Sequence, residues 1–343
     1  DGEGSEREGL AHWLADQIRA RRPYDQIVQT LITATGESAT SGPVNFMLRY
    51  PTEPVVKVSR AFLGIRLDCA RCHDHPFDRW SQDDFQRMNR FFDGIERREV
   101  ASGNARLVNV IREVAPEERP RFLSGATPRT NQWRSEFARF MVNSRPFARN
   151  FANRLWYHLI GRGIVHPVDD FSRENKPVLP DVLEKLTDDV ERSGFDLRAT
   201  LRQISLTQAY QRTSQASHGD QERQNLFLTR SIKPLAPEQW YASWNLAFKR
   251  TPNAEERRAF VEKFHGASLD GEFSASWDYR ETPLSLMSRL VEQSPPPASS
   301  INDLFITLLC RPPTEEERVQ LRRCTPQEIT FALLHSSEFA FNH

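Results

Sequence analysis

The chain has 343 residues, 38% of them hydrophobic and 27% charged, so it can bury a core and is not globally disordered. Its 46 basic and 46 acidic residues cancel, which removes any overall electrostatic reason to expect nucleic acid or an anionic membrane as partner. No apolar run approaches the ~20 residues that span a bilayer, Asp1 does not open a basic-then-apolar leader, and four cysteines are too few for a disulfide scaffold.

The length exceeds one average domain and suits two, or one large helical body with appendages. Leu10, Trp13, Leu14 and Ile18 form an i, i+3, i+4 stripe that predicts a helix over 5–21, and a second helix comes after Pro23 over about 24–33. Residues 36–52 begin rich in Gly, Ser and Thr, contain two prolines, and are expected to be mostly loop. A helix over 55–63 is stopped by Gly64, which delivers the chain into a cysteine motif. Ser81 and Asp84 resemble a capping box starting a helix that runs through Phe85, Met88, Phe91 and Phe92 to Gly94.

The stretch 95–130 is less regular: 106–111 can pair as a strand, and Pro116, Pro120 and Pro128 punctuate the rest of it. A boundary is expected there, dividing the chain into parts at 1–130 and 131–343. Helices resume at 131–143 and at 146–160, where Pro146 suits a first helical turn. More are expected at 180–193, 197–207, 237–249, 254–264, 301–309, 314–323 and 326–335, with 294–300 as an extended linker. The expected class is mainly α, a helical two-part architecture with irregular loops and at most a small β element near residues 95–125.

Cys69-Ala70-Arg71-Cys72-His73 carries the most chemical information. C-x-x-C-H is the attachment motif for haem c: each thiol adds to one vinyl group, and the imidazole becomes the proximal iron ligand. His75 is too close to His73 to reach the other iron face, so a sixth ligand must come from elsewhere. The candidates are Met88 on the next helix, and His158 and His166 flanking Gly161-Arg162-Gly163. Core filling is the ordinary role for Met88 and a helix-face or interface position for His158. The alternative occupant is zinc or iron, with Cys69, Cys72 and either His73 or His75 as three ligands and a remote residue as the fourth. Asp74 and Asp78 would then accept hydrogen bonds from the imidazoles. A structural or redox cysteine pair without cofactor is the third reading.

Weaker features have plainer explanations. Asp169-Asp170 is expected to be a solvated or capping pair, and Asp188-Asp189 a surface pair. No strand precedes Gly161-Arg162-Gly163, so it reads as a helix C-cap rather than a dinucleotide fingerprint. Cys310 and Cys324 could form a disulfide worth ~3 kcal/mol in an oxidising compartment, or remain small apolar residues in a reducing one.

Several segments resemble one known pairing. Phe62-Leu63-Gly64, the run Cys69 to Asp78, Asp84-Phe85 and Phe91-Phe92 are similar to the planctomycete cytochrome-like domain. Asn153-Arg154-Leu155-Trp156, the run Gly161 to Val165, Asp169-Asp170-Phe171 and the run Ser205 to Tyr210 are similar to its usual C-terminal companion. So are Arg311-Pro312-Pro313-Thr314-Glu315, the run Leu333 to Phe339 and the closing Asn342-His343. The resemblance implies an exported protein, and a chain that enters the cytochrome-like domain partway. Motif and resemblance together give the expectation of a periplasmic or extracellular c-type haem protein, serving electron transfer or a redox step with a protein partner. The alternatives are a metal-stabilised structural or binding protein of an envelope assembly and, third, a secreted metallohydrolase.

Overall fold

A computed structural model describes residues 2–50, 54–100, 104–110, 119–212, 221–230, 233–265 and 295–342. The protein is mainly helical with a small three-stranded antiparallel sheet, in agreement with the class expected from its sequence. It divides into two compact units, the first spanning Asp1–Arg212 with Ala216–Arg230, the second Ser231–His343 with Thr213–Gln215.

The first unit opens with α1 (Gly2–Arg19) and α2 (Tyr24–Thr33), the latter burying Ile27, Val28, Leu31 and Ile32 on one face. Of the loop expected over 36–52, residues 36–50 are more ordered than their composition suggests, and 51–52 lie outside the described residues. Gly36–Glu37 forms strand β1, and Val44–Leu48 forms α3. The physical reason is tertiary: Val44, Met47 and Leu48 are enclosed by the core, and this burial offsets the weak local preference of a five-residue helix. After α4 (Pro54–Val58) comes a wider π turn, Ser59–Leu63. Gly64 closes it in the left-handed region at φ 68°, donating its N–H to the Ser59 carbonyl.

Helix α5 (Gln82–Asn89) starts at the expected capping box, with Ser81 and Asp84 each accepting from the other's backbone N–H. Strands β2 (Ile95–Glu99) and β3 (Ala105–Asn109) pair antiparallel, and β1 joins the other edge of β3. The unit then continues past residue 130 without a break in its core. Helix α6 (Trp133–Val142) packs on α2, and Phe137 gathers Phe91, Phe92 and Phe122 at ring distances of 5.3, 4.8 and 5.6 Å. Helix α7 (Arg145–Ile160) packs on α8 (Pro180–Arg192) and α9 (Leu197–Ser205). Tyr24 of α2 stacks on Phe151 of α7 at 4.2 Å.

Gly161 ends α7 at φ 95°, confirming the C-cap reading of Gly161-Arg162-Gly163. Beyond it, the buried Asn153 amide donates to the Val165 carbonyl and accepts the Val165 N–H, so the loop is held by paired hydrogen bonds. Asp188 is exposed and Asp189 partly so, and both engage in surface ion pairs as expected.

The second unit has its own core of Trp240, Tyr241 and Trp244 with Leu304, Phe305, Leu333 and Leu334. Its helices Pro237–Ala247, Ala254–His265, Ile301–Leu309, Glu315–Leu321 and Pro326–Leu334 come in the expected order. Thr314 and Thr325 begin two of them through capping boxes with Glu317 and Glu328. Arg311 binds both Glu317 and Glu338, which fixes the Arg-Pro-Pro-Thr-Glu turn. Cys310 and Cys324 are free thiols. Of the expected linker, 295–300 is irregular and residue 294 lies outside the described residues. No helix among the described residues is long and apolar enough to cross a membrane.

Candidate functional site

The cysteine motif forms a single exposed turn. Cys69–Arg71 is a 3-10 turn, and Ala70 is its anchor, wholly buried while Cys69, Cys72 and His73 face solvent. Both thiols are free. Helix α5 holds the end of the turn: the Gln82 backbone N–H donates to Asp74 Oδ1 at 2.8 Å, and its side chain donates to the Cys72 carbonyl at 3.2 Å. The His75 N–H donates to the Trp80 carbonyl at 2.8 Å, closing the loop between the motif and α5.

The hydrogen bonds of the two neighbouring imidazoles select opposite tautomers. His73 Nδ1 lies 2.8 Å from the Asp74 carbonyl oxygen. A carbonyl only accepts, so Nδ1 carries a proton, and in the tautomer this selects the lone pair is on Nε2, where a metal can take it. His75 Nδ1 instead accepts the Phe77 N–H at 3.2 Å, which puts the proton of its neutral ring on Nε2. The donor set of two free thiols beside an imidazole with a bare Nε2 fits the attachment chemistry of haem c. Phe77, 66% exposed, adds an apolar surface beside it.

The remaining sequence candidates are dispersed. Met88 is completely buried within the first unit's core. His158 is exposed near the end of α7, its ring 5.5 Å from Tyr157. His166 is also exposed, and partial desolvation, with the Arg162 charge second, lowers its pKa. Among the described residues, no group of three or more His, Cys, Asp or Glu side chains is arranged to hold a metal ion. Cavities of about 240 Å³ beside Trp133 and about 670 Å³ beside β1 and β3 are lined by other residues than the motif.

Behind the turn lies a buried polar collar that local spacing does not reveal. Asp169 is 4% exposed, which corrects the expectation that Asp169-Asp170 is a solvated or capping pair. Its Oδ2 accepts from Arg60 Nε at 2.9 Å and Nη2 at 2.7 Å, and its Oδ1 accepts from Arg66 Nη2 at 2.8 Å. Burial would raise the Asp169 pKa, but the hydrogen bonds and charges of Arg66 and Arg60 outweigh it and hold the carboxyl below its ordinary range. Arg60 Nη1 also donates to Asp68, the residue before Cys69, at 3.2 Å.

The π turn supplies the rest of the collar. Asn150 donates to the Ala61 carbonyl at 2.8 Å, and Arg154 to the Arg60 carbonyl at 2.9 Å. The Phe171 N–H donates to the Gly64 carbonyl, and a Cβ on Gly64 would lie 2.6 Å from the Phe171 ring. One signal is present in the sequence: Arg60 sits with Ser59 between apolar Val58 and Ala61-Phe62-Leu63, and an enclosed arginine needs acceptors, a carboxylate among them.

Comparison with known families assigns both halves of this arrangement. Residues 1–97 match PSCyt2, a protein of unknown function (DUF1549), and residues 133–247 match PSD1, a protein of unknown function (DUF1553). No curated protein and no solved structure matches the chain. The cysteine turn thus lies on the first matched segment, and Asn150, Arg154, Asp169 and Phe171, which hold the 60–66 segment before it, lie on the second. The chain belongs to the planctomycete cytochrome-like pairing, a PSCyt2 domain followed by PSD1.

Proposed function

We propose that this protein is an exported c-type haem protein serving electron transfer or a redox step with a protein partner. Cys69 and Cys72 would form the thioethers and His73 would be the proximal ligand. The observation that carries the reading is the state of His73: its Nδ1–H is spent on the Asp74 carbonyl while Nε2 stays free beside two unpaired, exposed thiols. Bound there, haem supplies one-electron ferric–ferrous chemistry.

The protein's own residues would do three things. Gln82 and Asp74 fix the end of the turn, so the thiols and the imidazole keep their relative order. The Asp74 carbonyl orients the His73 ring and strengthens Nε2 as a donor. Exposure of the turn, with Phe77 beside it, leaves the site open to a partner's surface. Location outside the cytoplasmic membrane is part of the same proposal, because attachment to C-x-x-C-H normally takes place there.

The test is a pyridine haemochrome and a reduced-minus-oxidised spectrum on native protein, with metal analysis of the same sample. A c-type band that survives acid-acetone extraction and is lost in Cys69→Ala/Cys72→Ala supports the proposal. Colourless protein with stoichiometric zinc or non-haem iron overturns it in favour of a metal-stabilised envelope protein using the same thiols.

A further inference from the structure

The collar behind the cysteine turn has a directional geometry. Asp169 holds Arg60 with one carboxylate oxygen and Arg66 with the other, so a single side chain clips both ends of the segment that delivers the cysteines. Arg66 precedes Cys69 by only three residues, a reach of at most about 11 Å, so a shift at the clip is carried into the turn. The Asp68 side chain completes the connection. It stands at the N-cap of the 3-10 turn, where an aspartate ordinarily accepts from the turn's own N–H groups, yet it makes no capping hydrogen bond. Its Oδ2 is turned to Arg60 Nη1 instead.

We propose that Asp169 is a positioning residue for the cysteine turn, acting through Arg60 and Asp68. Asp169 comes from the segment matched by the second family, and Cys69 from the segment matched by the first. The second segment therefore sets the geometry at which the first presents its thiols. The proposal deepens the haem reading and rests on it for its functional meaning, while its geometry stands on the protein alone.

The experiment uses the full chain produced with free thiols. Iodoacetamide labelling rates are read for each cysteine by peptide mass spectrometry, with Cys310 of the second unit as internal reference. Asp169→Asn is expected to raise the Cys69-to-Cys310 rate ratio at least about twofold, the low end of coupling within one ion-pair network. Asp68→Asn, whose side chain is 42% exposed and so tolerates the change, is expected to do the same. In the double variant the two effects are not additive, because both act on one relay. A general loosening of the fold would move the ratio whether or not Asp68 is present.

Additive effects, or an unchanged Cys69 ratio in folded Asp169→Asn, overturn the proposal. Should Asp169→Asn fail to fold, Asp68→Asn decides alone, since an unchanged ratio there breaks the relay at its last link. Native protein that never carries haem refutes the redox reading and leaves the labelling result intact. Native protein with haem but unchanged labelling refutes the positioning role only.

Discussion

Two arginine–carboxylate networks, one in each unit, share the same chemistry and differ in their surroundings. In the first unit, Arg60 and Asp169 are about 5% exposed at their side chains, and Asp169 accepts from two guanidinium groups. In the second, Arg311 meets Glu317 and Glu338 at similar distances, but these side chains are 29–39% exposed. Charges at the surface keep most of their hydration when a pair breaks, whereas a buried partner left alone does not. The buried network is therefore a stability element and a brace for the cysteine turn. The exposed one chiefly fixes where a helix begins.

The largest expected effect breaks the buried side of this comparison. Asp169→Asn removes the buried charge that Arg60 and Arg66 share and is expected to lower unfolding free energy by about 3–5 kcal/mol in denaturant titration at pH 7. Because the folded-state pKa of Asp169 is depressed, its contribution is present above the ordinary carboxylate range and is lost as pH falls through the folded value. The stability gap between wild type and variant should therefore narrow on acidification; a gap independent of pH would deny the pairing its role.

Gly64→Ala tests the same collar sterically. The added methyl meets the Phe171 ring at 2.6 Å and Asn150 Oδ1 at 2.9 Å, at a position whose φ of 68° already disfavours a side chain. A loss of about 3 kcal/mol is expected from strain and overpacking together, read as a lowered denaturation midpoint. Full stability in this variant would mean that Phe171 does not seat against Gly64.

Smaller effects are expected at the exposed network. Arg311→Ala should cost about 1 kcal/mol or less. The hydrogen bond from Arg311 draws the Glu317 pKa down to about 2, with the Thr314 N–H assisting through the capping box. Carboxyl NMR titration of the variant should show Glu317 moving back up toward the ordinary glutamate range.

Asp25 gives the smallest change, with opposite sign. Desolvation raises its pKa, and one of its oxygens is buried without a hydrogen bond. A group with a raised folded pKa is penalised when ionised, so Asp25→Asn should stabilise at pH 7 by about 0.5 kcal/mol. That gain should vanish as pH falls and the wild-type carboxyl protonates. Thermal melts of both proteins at neutral and acidic pH check the sign.

Much of this arrangement is legible in the residues. The capping boxes at Ser81, Thr314 and Thr325 involve groups within four residues of one another, so local spacing is sufficient to place the helix starts. The cysteine turn is legible for the same reason. Helix α3 is not, because Val44, Met47 and Leu48 gain their burial from distant elements while the surrounding composition favours a loop. Asp169 misleads for a related cause: a carboxylate pair in a loop is ordinarily hydrated, and the partners that change this lie 103 and 109 residues away.

The sequence by itself determined a mainly helical chain, the start and stop of most helices, the kinship of both matched segments, and the grouping of two thiols and an imidazole at one short turn. These depend on periodicity, capping and spacing, all of which act over a few residues. Which imidazole keeps a free Nε2 is also set locally, by backbone groups one and two residues from each ring, although residue spacing alone does not give it. Tertiary structure decided that the segment after α7 closes on the π turn before the cysteines. Burying Arg60 and Asp169 is tolerable only when each finds the other, and chain folding alone brings them within hydrogen-bond reach.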